Sequence, residues 1–450
     1  MRRSERRWGA SGAGVRRRQA QSLLAGLALA LVPLAASAAP GDLDMTFGVD
    51  GFVTTNFGGT YDWAYATAVQ PDGKILAAGV SNAKGTYDFA LARYTSDHTL
   101  DPSFGDGGVA ITDFGQSYDW AYSLVLQPDG KIVLGGVSDV GGSKGFALAR
   151  YLPDGHLDQG FGHKGIVDER LPSLSTDIIH GLALQPDGRI VAAGVTFEDR
   201  VTLQPQGDFM LSRYLPDGQA DPSFGVGGTV KTDFDGGSYD EPYAVVLQRD
   251  GRIVVAGYTT NAPSPGILFG ADNLAVARYT ENGLLDDTFG HGGKTVVDAG
   301  ALDEELRAVA IAADGKIVAA GFTNGERRGD MLVARFTRDG ILDQGFGLHQ
   351  GYTVTDFGSR SERLSSLVLQ PDGRIVAGGQ VALAEGTDFA VVRYDSEGRL
   401  DPSFGRGGLA VADFRGREDR VQAVALQPDG KILAVGISEA DFAVARFNGS

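Results

Sequence analysis

An all-β fold is predicted, built from seven copies of one four-stranded antiparallel sheet and closed into a ring. Three observations carry that reading. A turn of the Gln-Pro-Asp-Gly type recurs with its glycines at Gly73, Gly130, Gly188, Gly251, Gly315, Gly373 and Gly430, in steps of 57, 58, 63, 64, 58 and 57 residues. A fixed period of this size is the mark of a repeat architecture, and seven four-stranded units close naturally into a β-propeller. Finally, the chain ends are out of phase with the unit, as a closed ring requires.

Residues 119–162 show the unit in order. Asp119 to Leu126 reads as the first strand, A, with Ala121, Ser123 and Val125 on one face and Tyr122, Leu124 and Leu126 on the other. Gln127-Pro128-Asp129-Gly130 is a turn, where Pro presets the first angle and Gly supplies the positive φ. Lys131 to Gly136 returns as strand B, and after a variable loop Phe146 to Tyr151 forms strand C. Leu152-Pro153-Asp154-Gly155 repeats the turn chemistry, and His156 to Phe161 is expected as strand D. Strands A to C carry apolar or small residues on both faces. An exposed sheet would alternate, whereas a blade with neighbours on both sides would not.

The segment Leu43-Asp44-Met45-Thr46-Phe47-Gly48 is a lone strand D in this reading, and Asp441 to Phe447 is a strand C with nothing after it. Pairing the two would complete the last blade and remove both free edges. The repeats fall near 49–105, 106–162, 163–225, 226–290, 291–347, 348–405 and 406–447 plus 43–48, making 39–450 one domain. Each strand C carries an Arg just before its turn, at Arg93, Arg150, Arg213, Arg278, Arg335, Arg393 and Arg446. Hairpin geometry sets Arg150 opposite Asp158, and closure would set Arg446 opposite Asp44.

Residues 1–38 read as a secretory signal. Seven Arg lead into the apolar run Leu23–Leu34 and the small-residue site Ala36-Ser37-Ala38. The run is too short to span a membrane, so a secreted or periplasmic protein is expected. Removing its seven Arg and one Glu from the formal net charge of −17 leaves about −23, which argues against nucleic acid as a partner. With no Cys, disulfides, thiolate catalysis and Cys-based metal sites are excluded. No two of the six His share a ligand-type spacing.

The Gln-Pro-Asp-Gly-Lys-Ile turn, the Phe-Ala-Leu-Ala-Arg-Tyr strand and the Leu-Asp-Pro-Ser-Phe-Gly segment occur, with mild departures, in all seven units. Arg249, Ala312-Ala313 and Ala220 are among those departures. On these residues the chain resembles the delta-60 repeat family of bacterial exported proteins, and its layout is similar to NHL-type propeller repeats. The resemblance implies a propeller and no settled activity.

The A–B and C–D turns are short and uniform, while the B–C and D–A loops vary, so the variable end is the candidate face. The longest B–C loops are Thr196–Gly207 and Tyr258–Ala271, and the second carries an apolar set that suggests a partner contact. Eleven residues before each turn glycine stands an acid: Asp62, Asp119, Asp177, Asp240, Glu304, Glu362 and Asp419. These are expected to ring the channel mouth, where they would hold Ca²⁺ or a cationic ligand, or else fix loops through backbone N–H groups. A second acidic position opens strand C at Asp88, Asp208, Asp330, Asp388 and Asp441. Trp63, Tyr65, Trp120, Tyr122 and Tyr243 cluster near the acids, and His180 and Arg307 break the repeat three residues beyond them. The function read from this is a monomeric, non-catalytic scaffold binding a protein, glycan or cation. The alternative is a hydrolase or lyase acting on a carbohydrate-like substrate at the channel mouth.

Overall fold

The computed structural model describes residues 38–450, apart from 116–117, 141–142, 170–175, 199–205, 237, 261–270, 302, 326–327, 384–385 and 415–417. The expected signal segment, up to residue 37, and most of the two long B–C loops lie outside the described residues. No helix among the described residues is long and apolar enough to cross a membrane.

Every described strand belongs to one of seven four-stranded antiparallel sheets. Blade 1 comprises Asp62–Val69, Ile75–Ser81, Asp88–Tyr94 and Val109–Thr112, and blade 2 Trp120–Leu126, Ile132–Val140, Ser143–Tyr151 and Ile166–Glu169. Blade 3 runs through Thr176–Leu184, Ile190–Glu198, Gln206–Tyr214 and Thr229–Thr232, and blade 4 through Tyr239–Leu247, Ile253–Thr260, Asp272–Tyr279 and Lys294–Val297. Blade 5 holds Glu304–Ile311, Ile317–Gly325, Arg328–Phe336 and Tyr352–Thr355, and blade 6 Glu362–Leu369, Ile375–Leu383, Gly386–Tyr394 and Leu409–Ala412. Blade 7 joins Asp419–Leu426, Ile432–Ser438 and Asp441–Phe447 to Phe52–Thr55 from the start of the chain.

Strands B and C of blade 1 are buried along their whole length, as a blade covered on both faces demands. The core is accordingly divided among the blade interfaces. Seven apolar clusters occur among the described residues, one between each adjacent pair. The cluster that joins last to first packs Leu433, Val435, Phe442 and Val444 against Ala64, Ile75, Ala77 and Tyr94.

One expectation is corrected. The Leu-Asp-Pro-Ser-Phe-Gly segment is not strand D. In blade 2 it makes a single bridge, Tyr151 to Leu157, and the fourth strand comes later, at Ile166–Glu169. Likewise Leu43 only bridges Phe447, and the closing strand is Phe52–Thr55, paired with Phe442–Ala445. The reason is local. In blade 1 the Asp101 carboxylate accepts both the Ser103 N–H and hydroxyl, and the Phe104 N–H bonds back to the Asp101 carbonyl. A chain curled on itself in this way cannot extend a ladder.

That curled segment builds a clasp. Arg93 Nε donates to Asp101 at 3.0 Å, and its guanidinium lies 4.4 Å from the buried Phe104 ring. Another of its N–H groups reaches the Pro153 carbonyl in blade 2 at 2.5 Å. Lys74, just after the A–B turn, adds a second cation to Asp101 at 3.2 Å. The Arg–Asp pair is present in all seven blades, including the expected Arg150–Asp158 pair at 3.0 Å. The expected closing pair is also formed, with Arg446 Nε 2.7 Å from Asp44 across 402 residues.

Two outcomes follow from the clasps. Burial alone would raise the Asp44 carboxyl, but hydrogen bonds from Lys431 and Thr46 and the charge of Arg446 hold it well below the usual carboxylate range. Asp286 is likewise brought down to about 2: burial opposes its charge, but Thr288, Arg252 and Arg278 outweigh that. Because the folded values lie below the unfolded one of about 3.9, this stability is fully present above about pH 4 and is lost as pH falls through the folded values. Urea unfolding is therefore expected to show stability dropping steeply below pH 4, and less steeply in Asp286→Asn. Removing residues 39–55 opens the ring and strands Arg446. At a typical cost of ~3 kcal/mol for a broken buried pair, plus the lost strand, the melting temperature should fall by more than about 5 °C.

Candidate functional site

Strand A lines the axis, and each copy carries a β-bulge that slips the pairing by one residue. In blade 1 the register shifts between Ala64 and Ala66, so Tyr65 is the extra residue. The bulged residues of the seven blades are Tyr65, Tyr122, His180, Tyr243, Arg307, Ser365 and Gln422. A bulge re-aims a side chain, and here all seven line one cavity of about 360 Å³, joined by Phe322, Arg363, Leu364, Gln380 and Arg420. A glycine on strand B makes room for the distortion. A Cβ on Gly257 would stand 2.0 Å from the Glu241 carbonyl oxygen, a contact no side chain tolerates. The bulge also breaks the strict alternation expected for strand A.

The channel wall has two halves. Blades 1 to 4 supply an arc of rings. Trp63 and Trp120 centroids lie 6.1 Å apart, Tyr65 and Tyr122 5.1 Å, Tyr122 and His180 5.4 Å, and His180 and Tyr243 5.0 Å. Blades 5 to 7 supply arginines. The Arg307 guanidinium sits 3.6 Å from the Tyr243 ring centroid and pairs with Glu305, while Arg363 lies 4.2 Å from the Phe322 ring centroid. Arg420 pairs with Glu418 at 2.6 Å.

The carboxylates paired with these side chains include Glu241, on the aromatic half. Glu241 stands 3.0 Å from His180 Nε2 and accepts the Tyr239 and Tyr258 hydroxyls at 3.0 and 3.1 Å. Burial would raise Glu241, but these partners hold it below its ordinary value. Burial, with Glu241 nearby, pushes the Tyr122 hydroxyl up to about 12, so it stays a donor. Among the described residues Arg363 forms no ion pair, unlike Arg307 and Arg420. Its Nε is buried without a hydrogen-bond partner, and burial lowers its pKa despite the pull of Glu305.

The sequence-derived candidates therefore separate. Tyr65, Tyr122, His180, Tyr243 and Arg307 meet at the channel, with Trp63 and Trp120 beside them. The acids Asp62, Asp119, Asp177, Asp240, Glu304, Glu362 and Asp419 do not line the cavity and are at most 1% exposed. Six of them hold the preceding D–A loop: the N–H groups of Phe57, Phe114, Phe234, Ala299, Phe357 and Phe414 donate to Asp62, Asp119, Asp240, Glu304, Glu362 and Asp419. Arg363, Arg420, Glu241 and Gln380 were not anticipated. The first three occupy the position one residue beyond the acids, where the repeat varies from Trp to Ile, Glu and Arg, and that variability was the signal to follow.

In blades 1 and 2, Asp88, Asp113 and Asp119 bring carboxylate oxygens within 4.8 Å of one another, and three other blade junctions do the same. A larger cavity, about 690 Å³, lies along strand D of blade 1. Its charged residues Lys84, Asp106 and His156 make no ion pair with one another, so the channel is the better candidate site.

Fold and channel together define a seven-bladed propeller with an asymmetric, aromatic and arginine-lined axis. The model for a domain of unknown function (DUF5122) beta-propeller matches residues 70–104, 127–161, 185–224, 248–289, 312–346, 370–404 and 427–450, more than half the chain, and the protein belongs to that family. No curated protein matches the chain in sequence. Among solved structures it is similar to a polysaccharide lyase, an ulvan lyase (10% identity, TM-score 0.49, covering 88% of this chain and 96% of that one). It is also similar to virginiamycin B lyase from Staphylococcus aureus (11%, 0.48, 87% and 98%) and to Drosophila plexin A (11%, 0.47, 88% and 86%). These likenesses concern the fold alone.

The bulge makes a specific demand. Gly257→Ala is expected to cost about 1–3 kcal/mol, because the new methyl forces strand A of blade 4 off its partner. Chemical denaturation of the variant checks this.

Proposed function

We propose that this is an exported binding propeller that holds an acidic saccharide in its central channel. The observation that carries the reading is Arg363, a half-buried guanidinium facing the channel whose Nε has no partner. A buried donor left unmade is costly, and an arginine satisfies a carboxylate or sulfate with paired, charge-assisted bonds. Arg307 and Arg420 reinforce the positive half, and the facing rings of Tyr65, Tyr122 and Tyr243 offer apolar faces for a sugar ring. Export is supported by the basic and apolar leader that ends at Ala36-Ser37-Ala38. The acidic ring drops out of this reading as a ligand surface, since those carboxylates are turned into loops.

One observation favours a second reading, a lyase. His180, 3.0 Å from Glu241 and packed between Tyr122 and Tyr243, faces the arginine half across the cavity. A base opposite a carboxylate-binding arginine is what abstraction of a proton α to that carboxylate requires. The two readings differ in whether the ligand leaves unchanged.

Calorimetry with uronic-acid oligosaccharides and their neutral counterparts tests the proposal. Binding of the acidic series alone is expected, with Arg363→Ala weakening it about 10- to 100-fold, the worth of a charge-assisted bond. Equal binding of the neutral series, or an Arg363→Ala variant that binds unchanged, would contradict it. A new ultraviolet-absorbing unsaturated product, lost in His180→Ala, would establish the lyase instead.

A further inference from the structure

The blade junctions offer a second chemistry, independent of the channel. At the blade 1–2 junction Asp88 opens strand C, Asp113 follows strand D, and Asp119 precedes strand A of the next blade. Their carboxylate oxygens lie within 4.8 Å of one another, and Asp388, Asp413 and Asp419 repeat the arrangement at the blade 6–7 junction. Three anions at this distance repel, and proteins tolerate such a group when a cation sits among it.

The molecule carries its own controls. At the ring-closing junction Asn56 stands where Asp113 does, and its amide donates to Asp441, the strand C acid, at 2.8 Å. At the blade 3–4 junction Lys231 reaches into the triad and pairs with Asp208 at 2.6 Å. The equivalents of Lys231 at the other three junctions are Ile111, Val354 and Val411, which bring no charge, but at the blade 5–6 junction both oxygens of the third acid, Glu362, are already taken by the Phe357 and Ser359 N–H groups. At the blade 1–2 junction the strand C acid is left short. Asp88 is fully buried, its Oδ1 takes the Thr86 hydroxyl at 2.9 Å, and its Oδ2 is buried with no hydrogen-bond partner. At the blade 6–7 junction Asp388 is buried at the same position, while Asp419 is turned to Ser438 and to the Phe414 N–H. Asp113 and Asp413 are exposed, so an ion can enter from solvent and keep water ligands.

We propose that these two junctions each bind a calcium ion, through Asp88, Asp113 and Asp119 and through Asp388, Asp413 and Asp419. The donor set is all carboxylate oxygen, which suits a hard cation and not zinc. Three carboxylates with access to solvent suit calcium, which takes six to eight oxygens in a flexible shell, better than magnesium, which requires a near-octahedral one. Each ion would tie strand C and the D–A loop of one blade to strand A of the next.

The test uses the full-length exported chain, stripped with chelator and titrated with CaCl₂ by calorimetry and thermal scanning. Calcium should bind and raise the melting temperature by several degrees at millimolar concentration, by mass action on the folded state. Asp113→Asn and Asp413→Asn should each abolish one binding equivalent. Their metal-free melting temperatures should hold or rise, since Asn56 shows that an amide fits this position. Asn56→Asp should conversely add calcium dependence at the ring-closing junction. No heat and no thermal shift at millimolar calcium in the unaltered protein would overturn the proposal. So would a double Asp113→Asn, Asp413→Asn variant with unchanged stoichiometry.

Discussion

The clasp between an arginine, an aspartate and a phenylalanine is the interaction on which the rest of this structure depends. A blade buries strands B and C on both faces, so it has no stable existence outside the ring, and its neighbours must be held in register. In each blade the arginine does this from one site. It grips the aspartate of its blade, covers a fully buried phenylalanine, and donates to a backbone carbonyl, in blades 1 to 6 one that follows strand C of the next blade. Arg446 closes the circle by reaching Ser96 of blade 1 at 3.3 Å while its aspartate partner comes from the other end of the chain. Guanidinium suits this place because its fixed fork serves an acid and a carbonyl together, which an ammonium does less well.

Much of the architecture was legible because repetition leaves its chemistry in the chain seven times. The Pro-Asp-Gly turns, the doubly apolar strands and the arginine at the end of strand C all held their expected places. The offset of the two ends was enough to pair Arg446 with Asp44. Strand D was misplaced because the segment that looks most strand-like by its Leu and Phe is curled by its own aspartate. The true strand is four residues long and sits behind a pair of glycines in most blades, too short to declare a period.

The candidate site was legible by residue type and not by geometry. Tyr65, Tyr122 and Tyr243 were singled out as aromatics near the acids and His180 and Arg307 for breaking the repeat, and they meet because every one is the bulged residue of its strand. A bulge is invisible to a two-residue period. The acids, by contrast, were noticed for being constant. Constancy inside a repeat marks what every blade needs to fold, while variation at one fixed place marks what the assembled ring presents. On that logic the arginine half of the channel, spread over positions that elsewhere hold Trp, Ile and Glu, belongs to function, and the loop-holding carboxylates belong to the frame.

The central claim is that a non-covalent clasp between the chain ends closes the ring as strongly as the clasps within blades hold it. A double-mutant cycle measures this directly, using urea unfolding of Asp44→Asn, Arg446→Met and the double variant beside the same cycle for Asp158 and Arg150. Coupling of about 2 kcal/mol or more is expected for both pairs, equal within about 0.5 kcal/mol. A strong Asp158–Arg150 coupling beside one near zero for Asp44–Arg446 would contradict the account, because the ring would then be closed by something other than this pair.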